Sequence, residues 1–466
     1  MLPATSSTAE PALMHRSLRA QPLPIVSAAN NTLFPAAPDS RPILDFCGGA
    51  AVTVLGHSNA EVMGAIAEQL QRVSYVHTAA YTTASAEDLA HAVLAQDASQ
   101  SLGRVYFAGS GSEAADAALK LARQFWVEKG QMTRTRFVAR RQSYHGNTWG
   151  AMAVSMNKVR RAPYEDVLMP NVSFVSPAYS YQYMRETGCT TEEEYSQFLA
   201  DELDAELLRL GPENVICFIA ETMVGATSGC VTAPQGYWPK IRDVCTKHDV
   251  LLVLDEVMCG AGRTGSFFAF EQEDIVPDIV TIGKGLGAGY IPISAVLPSK
   301  QIIETLRNGT AVFNHGHTFQ AHPLACASAL KVQEIIRRDS LLDRCAQMGE
   351  ILGHQVRDAM AGCKYVGDVR GRGLFWAVEF VQNKDTRRPF PDHVNFGPRV
   401  QAAALEKGGV AVYPGHGTRD GVVGDHVLLA PAFIITPEEI ETAIRALREA
   451  YGSVEAEVDG TVGSLS

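Results

Sequence analysis

The sequence predicts an α/β fold with a large domain on a mostly parallel central sheet and a smaller α+β domain formed by the N- and C-terminal segments. Two observations lead to this prediction. Short β-branched runs alternate with amphipathic stretches through the middle of the chain, for example "VICFIA" and then "YWPKIRDVCTKHD". Such alternation is typical of a parallel sheet covered by helices. Beyond about residue 325 the pattern changes to long helices ("PLACASALKVQEIIRR") and short strands ("GLFWAVEFV", "HVLLAPAF").

These changes of pattern set the predicted domain boundaries. Residues 1–27 and 453–466 are polar and aperiodic, and we expect both to be flexible tails. Residues 76–324 form the predicted large domain, which would hold the ligand. Residues 28–75 contain "RPILDFCGGAAVTVLGH" and are predicted to pack with residues 325–452 in the smaller domain.

Composition excludes several classes of function. The net charge of −11 and the pI near 5.7 give no bulk attraction for nucleic acid or an anionic membrane. The nine cysteines are scattered without a C-x-x-C pair, which favours a reducing compartment over a disulfide framework or a zinc site. No apolar stretch approaches the ~20 residues of a membrane span. We expect a cytoplasmic enzyme, with a mitochondrial location as the weaker alternative because Arg16 and Arg19 lie in an acid-poor leader.

A glycine loop precedes a helix in "VYFAGSGSEAADAALKLAR". Apolar residues repeat at helical spacing and give the helix one buried face: Ala114, Ala118, Leu121, Ala122 and Phe125. Ser110, Gly111 and Ser112 lie at the predicted helix N-terminus, where free backbone N–H groups suit a phosphate. The alternative is a turn whose serine only caps the helix. A dinucleotide fingerprint is a weak match, because the βαβ context with a ribose-binding acid is missing.

Two charged residues follow predicted buried strands. Asp255 ends the strand in "VLLVLDEV", at the rim where open α/β sheets bind ligands. Lys284 follows the next strand in "DIVTIGKGLGAG", although a buried ammonium is costly without compensation. A strand-end aspartate more often caps a loop, but its pairing with a lysine and a phosphate loop predicts a pyridoxal phosphate site. That cofactor needs an amine, an anion at its ring nitrogen and a phosphate cradle.

The stretch "LLVLDEVMCGAGRTGSFFAFEQEDIVPDIVTIGKGLGAGYIPISAVL" resembles the signature region of class III (ω-) aminotransferases, which have the type I pyridoxal phosphate fold. The likeness extends over about residues 30–450 and includes "FAGSGSEAADAALKLAR", "SYHGNTWGA", "GHTFQAHPLACASAL" and "VRGRGLFWAVEF". The resemblance implies that Lys284 forms a Schiff base with the cofactor and shuttles the proton. It implies that Asp255 pairs with the pyridine nitrogen, and that Val257 and Tyr144 cover the two ring faces.

The resemblance also implies roles at the edge of the site. Ser110, Gly111 and Ser112 would hold the phosphate. Glu221 matches a family glutamate that helps to order the site. Thr318, in "GHTF", would reach the phosphate of a neighbouring subunit, so we expect a homodimer with shared active sites.

Other positions depart from the family pattern and leave the substrate open. Thr222 replaces a proline, Val224 stands where some members use glutamine, and Met258 replaces another glutamine. The usual carboxylate-binding arginine is absent, but Arg419 in "GHGTRDG" is either a movable clamp for a substrate carboxylate or a solvated loop charge. His145 is either a second base or, as we predict, a structural loop histidine.

Three functions fit the sequence. The first is an aminotransferase that moves an amino group from an amine or amino acid to a 2-oxo acid by a ping-pong mechanism. The second is another reaction of the same cofactor, by a decarboxylase, aminomutase or racemase. The third is a nucleotide-binding dehydrogenase or an inactive binding protein, which would have no need for Lys284. We expect the first, with a small-molecule amino donor and a 2-oxo acid acceptor as partners.

Overall fold

The computed structural model describes residues 12–38 and 41–463. Residues 1–11 and 464–466 of the predicted tails therefore lie outside the described residues. The strands are β1 (Ile25–Ala29), β2 (Thr32–Pro35), β3 (Ile43–Asp45), β4 (Tyr106–Ala108), β5 (Arg136–Arg140), β6 (Val172–Val175), β7 (Val215–Glu221), β8 (Met223–Val224), β9 (Val231–Thr232), β10 (Leu251–Glu256), β11 (Ile279–Ile282), β12 (Ser294–Pro298), β13 (Val366–Arg372), β14 (Phe375–Phe380), β15 (Val410–Ala411), β16 (Tyr413–His416) and β17 (Asp425–Leu429). The α-helices are α1 (Gly48–Ala51), α2 (Ala60–Arg72), α3 (Ala84–Leu94), α4 (Gly111–Glu128), α5 (Trp149–Ala153), α6 (Lys158–Arg161), α7 (Ser180–Tyr183), α8 (Glu192–Leu210), α9 (Tyr237–Lys247), α10 (Lys300–Asn308), α11 (Pro323–Arg338), α12 (Leu341–Met360), α13 (Phe396–Gly408) and α14 (Pro437–Gly463).

The central sheet has seven strands in the order β4-β12-β11-β10-β7-β5-β6. The pairs β10–β11, β10–β7, β5–β7 and β5–β6 are parallel, whereas β12 runs antiparallel to both of its neighbours. All six residues of β10 are buried, as expected for a strand covered by helices on both faces. The sheet confirms the prediction of a mostly parallel α/β domain.

Helix α4 packs on this sheet through the apolar face that the sequence predicts. Each residue of that face is buried: Ala114, Ala118, Leu121, Ala122 and Phe125. The Trp126 indole N–H also donates to the Ile216 carbonyl oxygen at 2.8 Å, which fixes the helix against β7. Since β4 leads directly into α4 and runs parallel to β11, the helix N-terminus lies at the sheet edge where β10 and β11 end.

The N- and C-terminal segments meet in one sheet. Strand β15 pairs in parallel with β3, so that Val410 lies opposite Leu44 and Ala411 opposite Asp45. A second sheet has the order β13-β14-β17-β16. A single buried cluster joins Phe46 of the N-terminal segment to residues throughout α12, α13 and α14. The β3–β15 pair and this cluster hold the N- and C-terminal segments together, as the predicted smaller domain requires.

Helix α11 crosses the predicted boundary between residues 324 and 325. Its first half, with Ala325 and Ala329, packs into the core of the central sheet, whereas Val332 and Ile335 pack into the core of the smaller domain. Because one continuous helix belongs to both cores, the position of this boundary stays a prediction.

The predicted tails differ from the structure where it describes them. Helix α14 continues to Gly463, although a flexible segment was expected from residue 453. Val454 and Val458 recur four residues apart and are buried against the smaller domain's core, which stabilises the extra turns despite their polar composition. At the other end, β1 begins at Ile25, inside the predicted tail, and pairs with β2.

No helix in residues 12–38 and 41–463 is long and apolar enough to cross a membrane.

Candidate active site

Three parallel strands bring the candidate polar residues to one edge of the sheet. In the strand register, Asp255 lies opposite Glu221 of β7 on one side and opposite Thr281 of β11 on the other. Lys284 follows β11 after a single glycine, Gly283, and has a φ of +43°. A left-handed backbone conformation is costly for lysine, and such strain concentrates at functional sites.

Asp255 is held from three directions. Its Oδ1 accepts hydrogen bonds from the Val257 backbone N–H (3.0 Å) and the Thr281 hydroxyl (3.3 Å). Its Oδ2 lies 2.7 Å from Nδ1 of His145, whose side chain is wholly buried. The sequence predicts a structural loop histidine at position 145, and the structure places the His145 side chain against the candidate catalytic carboxylate. A single histidine after "SY" gives no signal of that contact, which depends on the loop meeting β10.

Glu221 connects the loop of Tyr144 to the sheet edge. Its Oε1 accepts the Tyr144 backbone N–H at 3.0 Å, and its Oε2 accepts the Gly225 backbone N–H at 2.9 Å. Burial raises the pKa of Glu221, and the negative charge of Asp255 acts in the same direction. The two N–H groups compensate part of this cost, so Glu221 can fix the loop that carries Tyr144.

Burial lowers the pKa of Lys284 from 10.5 to about 8. The negative charges of Asp255 and Glu221 oppose this shift, but desolvation of the ammonium is the larger effect. A lysine with an ordinary pKa is almost fully protonated at pH 8, whereas Lys284 is about half neutral there. A neutral amine can act as a nucleophile and can accept a proton.

One cavity of about 410 Å³ joins these groups. Its wall includes most of the residues that the sequence singles out: Gly111, Ser112, Tyr144, Glu221, Asp255, Val257 and Lys284. Ser110 differs, because it is the N-cap of α4: its hydroxyl accepts the Glu113 N–H (3.2 Å) and it does not line the cavity. The capping alternative therefore describes the Ser110 side chain, while Gly111 and Ser112 face the cavity.

The cavity fits pyridoxal phosphate. In the described structure the backbone N–H groups of Gly111 and Ser112 have no acceptor, and they lie at the N-terminus of an 18-residue helix, where a phosphate binds favourably. A Cβ on Gly111 would come within 2.7 Å of Cγ1 of Val257, so the helix approaches this closely only with glycine. Lys284 supplies the amine and Asp255 the anion for a protonated ring nitrogen.

Two predicted site residues lie away from the cavity. Thr318 is exposed and does not line it. The Arg419 guanidinium donates to Oε1 of Glu186 at 2.6 Å, and Tyr183 donates its hydroxyl to the Arg419 carbonyl. In this structure a carboxylate pairs with the guanidinium and the loop is hydrogen-bonded, so the role of Arg419 as a movable clamp stays a prediction.

Two further residues line the cavity. Met258, which the sequence marks as a departure from the family pattern, faces the cavity, and Gly225 leaves room for its side chain, since a Cβ at Gly225 would lie 2.4 Å from the Met258 sulfur. Arg160 also lines the cavity, with its guanidinium carbon 5.0 Å from the centre of the Tyr144 ring. It belongs to no motif, so only the folded chain reveals its position.

Comparisons with known proteins identify the family of this chain. The family profile "Aminotransferase class-III" matches residues 14–451. An uncharacterised aminotransferase of Schizosaccharomyces pombe is 45% identical over 418 residues, covering 90% of each chain. A diaminobutyrate–2-oxoglutarate transaminase of Halomonas elongata is 33% identical, covering 89% of this chain and 87% of the relative.

Solved structures of transaminases are similar to this chain over nearly its whole length. An amine transaminase from an uncultivated Pseudomonas species, in its pyridoxal-phosphate-bound form, is 30% identical with a TM-score of 0.88, covering 97% of this chain and 99% of its own. An (S)-enantioselective ω-transaminase from Thermomicrobium roseum is 32% identical with a TM-score of 0.85, covering 95% and 96%.

The chain belongs to the class III aminotransferase family. It has the type I fold of pyridoxal-phosphate-dependent enzymes, and its activity is the transfer of amino groups.

The lowered pKa of Lys284 predicts its reactivity in the cofactor-free protein. Trace acetylation over a pH series, followed by mass spectrometry of the Lys284 peptide, should give half-maximal labelling near pH 8, because the neutral amine is the nucleophile. In Asp255→Asn the midpoint should move to lower pH, since the carboxylate charge that raises this pKa is gone. Labelling of Lys284 that still rises steeply at pH 10 would contradict the prediction.

Proposed function

We propose that Lys284 is the residue that bonds to the cofactor and moves the proton during amino transfer. The observation that carries this proposal is a partly buried lysine with a pKa of about 8, in one cavity with Asp255 and the N-terminus of α4. A residue with this pKa is near the optimum for transferring protons close to neutral pH. A strongly shifted pKa in a cavity is also typical of functional residues.

The other predicted residues of the cavity can hold the cofactor. When bound, pyridoxal phosphate supplies an electron-withdrawing ring that acidifies the carbon bearing the amino group. Asp255 would accept a hydrogen bond from the ring nitrogen, and His145 holds the Asp255 carboxylate in place. Tyr144 and Val257 would keep water from the cofactor ring. The N–H groups of Gly111 and Ser112 would bind the phosphate, and Glu221 fixes the loop of Tyr144.

We propose a ping-pong reaction in which an amine or amino acid gives its amino group and a 2-oxo acid then receives it. The names of two relatives support this pair of substrates, because one is an amine transaminase and one uses 2-oxoglutarate. Decarboxylation, racemisation or amino migration on the same scaffold would not need an acceptor. The requirement for a 2-oxo acid therefore separates aminotransfer from those reactions.

The two half-reactions should be separable. Holoenzyme mixed with an amino donor alone should release one carbonyl product per active site and then stop, and adding pyruvate or 2-oxoglutarate should restore turnover. Lys284→Ala should release less than a thousandth as much product in the same time, because the proton-transferring amine is gone. The measurement is product quantification by mass spectrometry over a panel of donors.

Continued release of product without any acceptor would contradict the proposal. So would a Lys284→Ala variant that folds and retains substantial activity. Far-ultraviolet circular dichroism of the variant controls for folding.

We further propose a homodimer in which Thr318 serves the partner's active site. Thr318 is exposed, remote from the lining of its own chain's cavity, and beside an apolar surface. Phe319 is 62% exposed, and Tyr75, which is 40% exposed, donates its hydroxyl to the Thr318 carbonyl. Aromatic side chains exposed together at a candidate site are typical of an interface.

Subunit mixing tests the sharing of sites. In a heterodimer of one Lys284→Ala chain and one Thr318→Ala chain, one site carries both changes and the other carries neither. The heterodimer, purified through two different affinity tags, should have about half the wild-type activity per dimer. Both homodimers should be less active. A heterodimer no more active than the mean of the two homodimers would contradict the proposal, as would a fully active monomer.

We propose a cytoplasmic location. Its support is that all nine cysteines are free, as in a reducing compartment.

A further inference from the structure

Arg160 places a positive charge on the wall of the candidate active site. It lies in the short helix α6, and its guanidinium carbon is 5.0 Å from the centre of the Tyr144 ring. Tyr144, Lys284 and Arg160 line the same cavity. A guanidinium beside an aromatic ring is attracted to it electrostatically and keeps its N–H donors, because this contact uses no hydrogen bond.

The donors of Arg160 are unused within the described residues. Its guanidinium makes no hydrogen bond or ion pair there, whereas the next residue, Arg161, donates to the carbonyl oxygens of Ala153 and Ser155. Arg419 is likewise occupied by Glu186. A guanidinium has five N–H donors and binds carboxylates through two of them at once. Arg160 is therefore available to an anionic ligand in the cavity.

The acidic groups of the cavity are already engaged and do not neutralise Arg160. Glu221 accepts the N–H groups of Tyr144 and Gly225, and Asp255 accepts from His145, Val257 and Thr281.

Two other cationic residues line the cavity beside Arg160. Arg16 lines the same cavity and, together with Arg160, a neighbouring one of about 620 Å³. His416 also faces the site, but its two ring nitrogens contact Asp392 and Asp425. Arg160 and Arg16 therefore line both cavities, whereas His416 is held by two carboxylates.

We propose that Arg160 binds a carboxylate of the substrate and so directs the enzyme to amino acids and 2-oxo acids. This inference rests on the proposed function, because it places the substrate in the cavity of Lys284. Arg160, and not Arg419, is then the residue that separates carboxylate-bearing substrates from uncharged amines and aldehydes.

Equilibrium binding tests the proposal without requiring turnover. Isothermal titration calorimetry of the holoenzyme would use butyrate, glutarate and 4-phenylbutyrate, each against its uncharged amide. At least one carboxylate should bind more tightly than its amide. Arg160→Met should weaken that carboxylate about tenfold to a hundredfold, the effect of a charge-assisted hydrogen bond, and leave the amide unchanged. Arg160→Lys should fall between wild type and Arg160→Met, since it keeps the charge but loses the two-point geometry.

Two further arginines make the result specific. Arg209→Met removes a surface arginine that pairs with Glu206 and should bind the carboxylates like wild type. Arg419→Met should do the same. Loss of carboxylate binding in Arg419→Met but not in Arg160→Met would overturn the proposal, as would a wild type that binds none of the three carboxylates more tightly than its amide.

A separate measurement distinguishes the substrate from the cofactor phosphate as the partner of Arg160. The dissociation constant of pyridoxal phosphate, from titration of cofactor-free protein, should change less than about threefold in Arg160→Met, because the N–H groups of Gly111 and Ser112 remain. A larger loss of cofactor affinity with unchanged carboxylate binding would overturn the proposal. Because these readouts need no product, failure of aminotransfer and failure of carboxylate recognition are observed independently.

Discussion

Burial of Lys284 beside two carboxylates is the constraint on which the site depends. Desolvation alone would leave the lysine neutral and weakly held, while the carboxylates alone would keep it protonated. In this structure the two effects oppose each other, and the pKa of Lys284 is about 8. The carboxylates can stay close to each other because each is compensated: Asp255 by His145, the Val257 N–H and Thr281, and Glu221 by two backbone N–H groups.

The central sheet produces this balance through its register. Parallel strands end at the same edge, so Glu221, Asp255 and Thr281 become neighbours although they are far apart in sequence. The N-terminus of α4 lies at the same edge and adds positive potential beside Gly111 and Ser112. A one-residue slip of β10 would turn Asp255 to the other face, so the apolar packing of this strand maintains the chemistry.

The residues most readily predicted from the sequence are those whose type conflicts with their surroundings. Lys284 and Asp255 stand out at the ends of apolar strands, and the alternating pattern around them predicts the sheet that the structure shows. The helical tail after residue 453 was missed because Val454 and Val458 gain their stability from a distant core. The sequence does not assign contact partners to His145, Arg160 and Arg419. Nothing in the neighbouring sequence tells whether such a side chain faces a carboxylate, an aromatic ring or a cavity.

Borohydride reduction of the holoenzyme tests the central claim most directly. Reduction fixes the cofactor on the amine that carries it, and a peptide map by mass spectrometry then locates the added pyridoxyl phosphate. The label should lie on the peptide containing Lys284, and Lys284→Ala should take up no stoichiometric label. Stoichiometric label on any other lysine, or full labelling of the variant, would contradict it.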